Sequence, residues 1–90
     1  MMELEQLRIF VAVAESGSFS KAASRRFVSH SSICRAVKAL ETELGQRLIE
    51  RDNRVIGLTD AGRLLKMRAE ELLHRADEIE NEIRSIAESK

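Results

Sequence analysis

From Leu4 to Glu15 the apolar residues Leu4, Leu7, Phe10, Val11 and Ala14 recur at steps of three and four, the period of a helix with one buried face. Gly17 supplies the stop. Ser18 or Ser20 then caps a second, short helix, in which Ala22, Ala23 and Phe27 face inward and Lys21, Arg25 and Arg26 face out. Val28-Ser29 forms a turn, Ser29 caps again, and a third helix runs from His30 to Leu44 with Ile33, Val37, Leu40 and Leu44 on its inner face. Gly45 ends it.

Between Leu48 and Leu58 the period shortens to that of two extended pieces, Leu48 to Arg51 and Val55 to Leu58, around the turn-forming residues Asp52-Asn53-Arg54. A small hairpin is expected there. Thr59 is a sound N-cap for a fourth helix, and Asp60 complements the positive end of its dipole. In that last helix Leu65, Ala69, Leu72, Ala76, Ile79, Ile83 and Ile86 alternate steps of four and three, an uninterrupted heptad seam. At 1.5 Å per residue the helix reaches about 40 Å, more than so small a domain can cover. The seam has two readings, packing back onto its own domain or pairing with a second copy, and its length and strict period favour the second.

Ninety residues allow one small domain and an appendage. Trp, Tyr and Pro are absent and charged residues make up 33% of the chain, which favours helices over a β-sandwich or barrel. The expectation is therefore a mainly α fold, a winged helix-turn-helix of three helices and a small β-hairpin wing over residues 1–59, followed by a long dimerisation helix over 60–90. The single Cys34 excludes an internal disulfide, no secretory leader is visible, and no apolar run reaches the eighteen residues of a membrane span. A cytoplasmic chain with no membrane partner is expected. The formal net charge of zero conceals a regional imbalance, because residues 18–40 carry Lys21, Arg25, Arg26, Arg35 and Lys38 and no acid.

Two helices joined by a short turn, the second flanked by basic and small polar residues, describe a helix-turn-helix, whose second helix enters the major groove of duplex DNA. On the third helix His30, Ser31, Ser32, Cys34, Arg35 and Lys38 lie off the apolar face, near the N-terminus. Arg35 is the strongest base-reading candidate, since its planar fork donates two hydrogen bonds to guanine. Serines and helix N-termini more often hold phosphate and set register, which assigns Ser29 and Ser32 to the backbone, and the cation Lys38 is assigned there with them. An isolated run of cations is usually a solvated surface. Here the run coincides with the helix-turn-helix and precedes a hairpin bearing Arg51 and Arg54, so a DNA partner is the better reading.

Leu7 to Glu15, Gly17-Ser18-Phe19-Ser20-Lys21-Ala22-Ala23, Val28-Ser29, Arg35, Leu40-Glu41, Glu43-Leu44-Gly45, Leu48, Glu50-Arg51 and Leu58-Thr59-Asp60-Ala61-Gly62 together resemble the N-terminal domain of LysR-type transcriptional regulators. The resemblance spans nearly the whole chain. It implies phosphate contacts from Ser20 and Lys21, a major-groove surface of His30, Ser31, Cys34 and Arg35, a wing carrying Arg51 and Arg54, and a linker helix from Leu65 onward that pairs antiparallel in a homodimer. His30-Ser31 stand where the family usually has Gln-Pro, Cys34 where it has Ser and Ile49 where it has Phe, so no operator sequence is implied. Full members also carry a C-terminal effector-binding domain of two α/β lobes, absent from these ninety residues, and a full-length form is expected to be able to reach a tetramer.

Other chemistries find little footing. Cys34 as a redox sensor is weighed against a small residue filling a serine site, and the second is adopted. His30 and His74 lack partners at a metal-ligand spacing, so neither metal nor cofactor is expected. An enzyme lacks paired carboxylates, a nucleophile with its base, and a phosphate-binding glycine loop. The alternative from a different class is a helical adaptor that dimerises without touching DNA, which weak dependence on salt would reveal.

Overall fold

The computed structural model describes residues 1–51 and 56–88. Their order is α1 (Leu4–Ser16), α2 (Phe19–Arg26), α3 (His30–Leu44), β1 (Ile49–Arg51), β2 (Ile56–Leu58) and α4 (Asp60–Glu88). The expected turn Asp52-Asn53-Arg54 and the first residue of the second expected strand, Val55, lie outside the described residues, as do the last two residues of the chain.

The boundaries of α1 and α3 and the start of α2 each have a local chemical cause. The Gln6 side chain accepts the Glu3 amide at 2.9 Å before α1, and Gly17 closes α1 in the left-handed region at φ 67°, its N–H donated to Val13 O. Ser18 Oγ accepts the Lys21 amide at 3.2 Å, so Ser18 rather than Ser20 caps α2. Ser29 Oγ accepts the Ser32 amide at 3.1 Å to start α3, and Gly45, also at φ 67°, ends it. Such caps satisfy amides and carbonyls left over at helix ends and each contributes about 1 kcal/mol.

α1 is the centre of the domain rather than a helix with one buried face. Leu7, Ile9, Phe10, Val11, Ala12 and Val13 are all buried, because α2, α3 and α4 cover it from different sides. Leu4, placed inward by its spacing, is exposed, since it precedes the region those helices reach. Phe19, Ala22 and Ala23 from α2, Ile33, Val37 and Leu40 from α3, Leu48 and Ile49 from the hairpin root, and Ala69 and Leu73 from α4 complete one core. Leu44, at the last turn of α3, stays largely outside it.

β1 and β2 pair antiparallel, with Ile49 opposite Leu58 and Arg51 opposite Ile56. The hairpin root is joined to α4 by a compact set of contacts. Thr59 N donates to Leu48 O at 3.1 Å, Thr59 Oγ1 donates to Arg47 O at 2.6 Å, and the same oxygen accepts the Gly62 amide at 3.0 Å. Gly62 sits so close to this root that an added Cβ would overlap the Leu48 carbonyl oxygen and lie 3.0 Å from its carbon.

α4 divides its apolar residues between two faces. Ala69 is 1% exposed and Leu73 9%, and with the partly buried Ala61 and Leu65 they form a stripe packed on the domain. The heptad spacing places Ala69 at a surface between two copies; it is instead occupied within its own core, because a straight helix drifts relative to a 3.5-residue repeat. Leu72, by contrast, is 45% exposed. Arg8 Nη2 lies 3.7 Å from Asp77 Oδ1, the last tie between α4 and the domain among the described residues, and from Glu78 to Ala87 every residue is exposed. Ile79, Ile83 and Ile86 stand free there, each more than 60% exposed.

Gly62→Ala is expected to destabilise the fold by about 2 to 4 kcal/mol, since backbone rather than a pliable side chain opposes the new methyl. Urea denaturation followed by circular dichroism measures this; an unchanged midpoint would show that the root accommodates a Cβ.

Candidate nucleic-acid interface

The turn between α2 and α3 begins at Phe27, whose backbone takes left-handed angles of φ 56° and ψ 42° and passes its N–H to α2 carbonyls. Val28 N donates to Ala23 O at 3.1 Å, which tightens the reversal. A non-glycine residue pays a steric penalty in this region, and the aromatic ring gains nothing in return. Phe27 is 94% exposed, so the expectation that it faces the core is corrected. The left-handed backbone turns its Cβ outward, and Phe19, at the other end of α2, takes the buried place.

Beyond this turn α3 presents a continuous polar surface. Ser29 Oγ lies 3.2 Å from Ser31 Oγ and 2.9 Å from Ser32 Oγ, and Ser32 Oγ accepts from Arg35 Nη2 at 3.4 Å. One helical turn connects His30 to Cys34, with Sγ 3.7 Å from Nδ1, and the His30 ring lies 6.0 Å from that of Phe19. His30, Ser31 and Arg35 are exposed and Cys34 is half-buried. These four, expected to face bases, are therefore gathered on one side of α3, within its first two turns. Ser29, Ser32 and Lys38 flank them on the same helix, and Ser20 and Lys21 are exposed on α2.

Among the described residues Lys21, Arg25, Arg35 and Lys38 form no ion pair, which leaves their charge available to a partner. Arg26 differs. Its Nη2 donates to both oxygens of Glu5 at 2.9 and 3.0 Å, so the cationic run of residues 18–40 loses one member to a strut between α2 and α1. The pairing joins residues 21 positions apart, which no local pattern announces.

The outer face of α3 and the hairpin root enclose an open groove of about 620 Å³. Lys38, Thr42, Gln46 and Arg47 line it with Cys34, and Arg47 is a cation that the sequence pattern did not single out. Arg51 belongs to β1, while its side chain, and the whole of Arg54, lie outside the described residues. No group of three or more His, Cys, Asp or Glu is placed to hold a metal ion among the described residues, and no helix there is long and apolar enough to cross a membrane.

Three helices, a short hairpin and an unpaired cationic surface on the second and third helices define a winged helix-turn-helix protein. Residues 4–63 match the family described as bacterial regulatory helix-turn-helix protein, lysR family, and the chain belongs to that family. It is 44% identical over 81 residues to the HTH-type transcriptional regulator YfeR of Shigella flexneri, itself described as uncharacterized, covering 90% of this chain and 25% of that protein. It is 39% identical over 84 residues to the HTH-type transcriptional regulator CrgA of Neisseria meningitidis serogroup B, covering 93% of this chain and 28% of the relative. The chain thus spans between a quarter and a third of the curated relatives' length. In structure it is similar to BenM_DBD in a complex with catB site 1 DNA, with a TM-score of 0.91 and 38% identity over 96% of this chain and 97% of that one. CbnR_DBD in a complex with DNA gives a TM-score of 0.87 and 42% identity over 96% of this chain and 99% of that one.

Replacing Phe27 by Asn, which tolerates the left-handed region better, is expected to raise stability by roughly 1 kcal/mol. Thermal unfolding of the two proteins side by side reads the difference, and a lower melting temperature for the variant would mean that the ring contributes packing at this turn.

Proposed function

We propose that this chain binds duplex DNA sequence-specifically, as a twofold symmetric dimer on a pseudo-palindromic operator, and so regulates transcription. The observation that carries the reading is the exposed α3 N-terminus with its serine cluster, followed on the same helix by Arg35 and Lys38, with Lys21 exposed on α2, and none of these three cations is in an ion pair among the described residues. Cations released from internal pairing attract the phosphate backbone, and binding gains from the counterions they displace. The similarity to BenM_DBD and CbnR_DBD, both seen with DNA, supports the same partner here.

In this reading Arg35, His30, Ser31 and Cys34 face base edges, while Ser20, Lys21, Ser29, Ser32, Lys38, Arg51 and Arg54 hold phosphates. Residues 1–59 read DNA and 60–90 pair the copies in the cytoplasm, where the DNA is. The exposed Leu72, Ile79, Ile83 and Ile86, with the half-buried Ala76 between them, supply the pairing surface, and Leu65 extends it at the near end with the part of its side chain that its own core leaves uncovered. Those isoleucines lose nothing from their own domain when a second helix covers them, and gain roughly 25 cal/mol for each Å² of apolar area removed from water.

Selection of bound fragments from genomic DNA tests the function and yields the preferred duplex; recovery no different from the input library would defeat it. Against that duplex Arg35→Ala is expected to lose about 1 to 3 kcal/mol of discrimination at one base position, whereas Lys21→Ala weakens binding to all sequences alike. Titration of both variants against the selected and a scrambled duplex separates the roles, and equal losses on the two for Arg35→Ala would remove it from base reading. For assembly, Ile79→Glu or Ile83→Glu places a charge in the pairing surface without touching the core, so each variant should sediment as a folded monomer. A dimer that survives both would put the interface elsewhere.

A further inference from the structure

Glu41 stands on the recognition helix at a place where a carboxylate is unfavourable for an interface meant for phosphates. It lines the same groove as Lys38 and Arg47. Its charge is nevertheless turned onto the backbone: Oε2 accepts the Leu48 amide at 2.8 Å and the Ile49 amide at 3.3 Å. Ile49 is the first residue of β1, so this one side chain links α3 directly to the root of the hairpin. The same segment is fastened from the opposite side by Thr59, through Leu48 O and Arg47 O. Hydrogen bonds to a charged acceptor are stronger than neutral ones, and two converging on one oxygen restrict both distance and direction.

We propose that Glu41 is a positioning residue for DNA binding: by accepting both amides it sets the hairpin against α3 so that wing and recognition helix engage the same duplex. The proposal rests on the DNA-binding reading above. Without this acceptor the two amides turn to water and the hairpin loses its fixed relation to α3, although neither element has lost a group that would meet DNA.

The sign of the effect distinguishes positioning from simple charge. A carboxylate that merely repelled phosphate would, on removal, leave binding tighter. Glu41→Gln and Glu41→Ala both remove the charge, but only Gln keeps an oxygen acceptor at the right reach. Fluorescence anisotropy with the duplex recovered from the genomic selection, over a salt series, compares the two variants with the unaltered chain. Glu41→Gln is expected to bind as tightly as the unaltered chain or more tightly, with the same dependence on salt. Glu41→Ala should bind roughly tenfold more weakly than Glu41→Gln, and its log–log salt slope should fall by about one or two as wing phosphate contacts are lost. Base preference along the α3 half-site should persist.

Amide hydrogen exchange gives a readout independent of DNA, with Leu48 and Ile49 exchanging faster in Glu41→Ala and not in Glu41→Gln. Where the alanine variant fails to fold, Glu41→Met, which keeps the packed stem and lacks the acceptor, takes its place. A folded variant with fast-exchanging Leu48 and Ile49 amides that binds like Glu41→Gln, with an unchanged slope, overturns the proposal. An unaltered chain that binds neither the selected nor a scrambled duplex overturns the DNA-binding reading instead.

Discussion

The architecture turns on the backbone around Leu48. Its side chain is buried in the core, its amide is held by Glu41, its carbonyl is held by Thr59, and Gly62 packs against that carbonyl with no room for a methyl. One short stretch of chain therefore joins α3, the hairpin and α4. Buried polar groups are costly when unpaired, so each bond here both satisfies a backbone group and removes a degree of freedom between two elements. α1 supplies the core on which these elements rest, but the three residues from Arg47 to Ile49 decide how they are angled.

What could be read along the chain depends on how local each cause is. Gly17, Ser18, Ser29, Gly45 and Thr59 act on amides and carbonyls within four residues, and the helices they bound emerge where the pattern places them. The polar side of α3 is legible for the same reason, since helical periodicity alone gathers His30, Ser31, Cys34 and Arg35. Phe27 misleads because an apolar residue at helical spacing suggests burial, while the backbone reversal at that point takes precedence and turns the ring to solvent. Leu4 misleads because periodicity says nothing of how far the neighbouring helices extend.

The remaining surprises are long-range. Arg26 meets Glu5, Glu41 meets Leu48 and Ile49, and Thr59 meets Arg47; each partner is distant enough in sequence that only the packed fold brings the two together. α4 combines both situations. Its strict alternation of threes and fours is real, but Leu73, outside that alternation, is buried while Leu72 is exposed, because the face turned to α1 follows the true helical pitch. The helix meets its own domain on one side over its first half and keeps the isoleucines of its second half uncovered.

Past Gly62, α4 contains neither glycine nor proline, and i to i+3 or i+4 pairs such as Lys66 with Glu70 and Arg84 with Glu80 run along it. Sharp bends in helices arise at proline, at glycine or at interruptions of the hydrogen-bond ladder, and neither residue is present in this stretch. The free turns beyond Asp77 consequently behave as a stiff lever of about 15 Å. Whatever grips the far end therefore meets a straight rod that runs without interruption through the buried Leu73 and Ala69 back to Thr59 and the strand root.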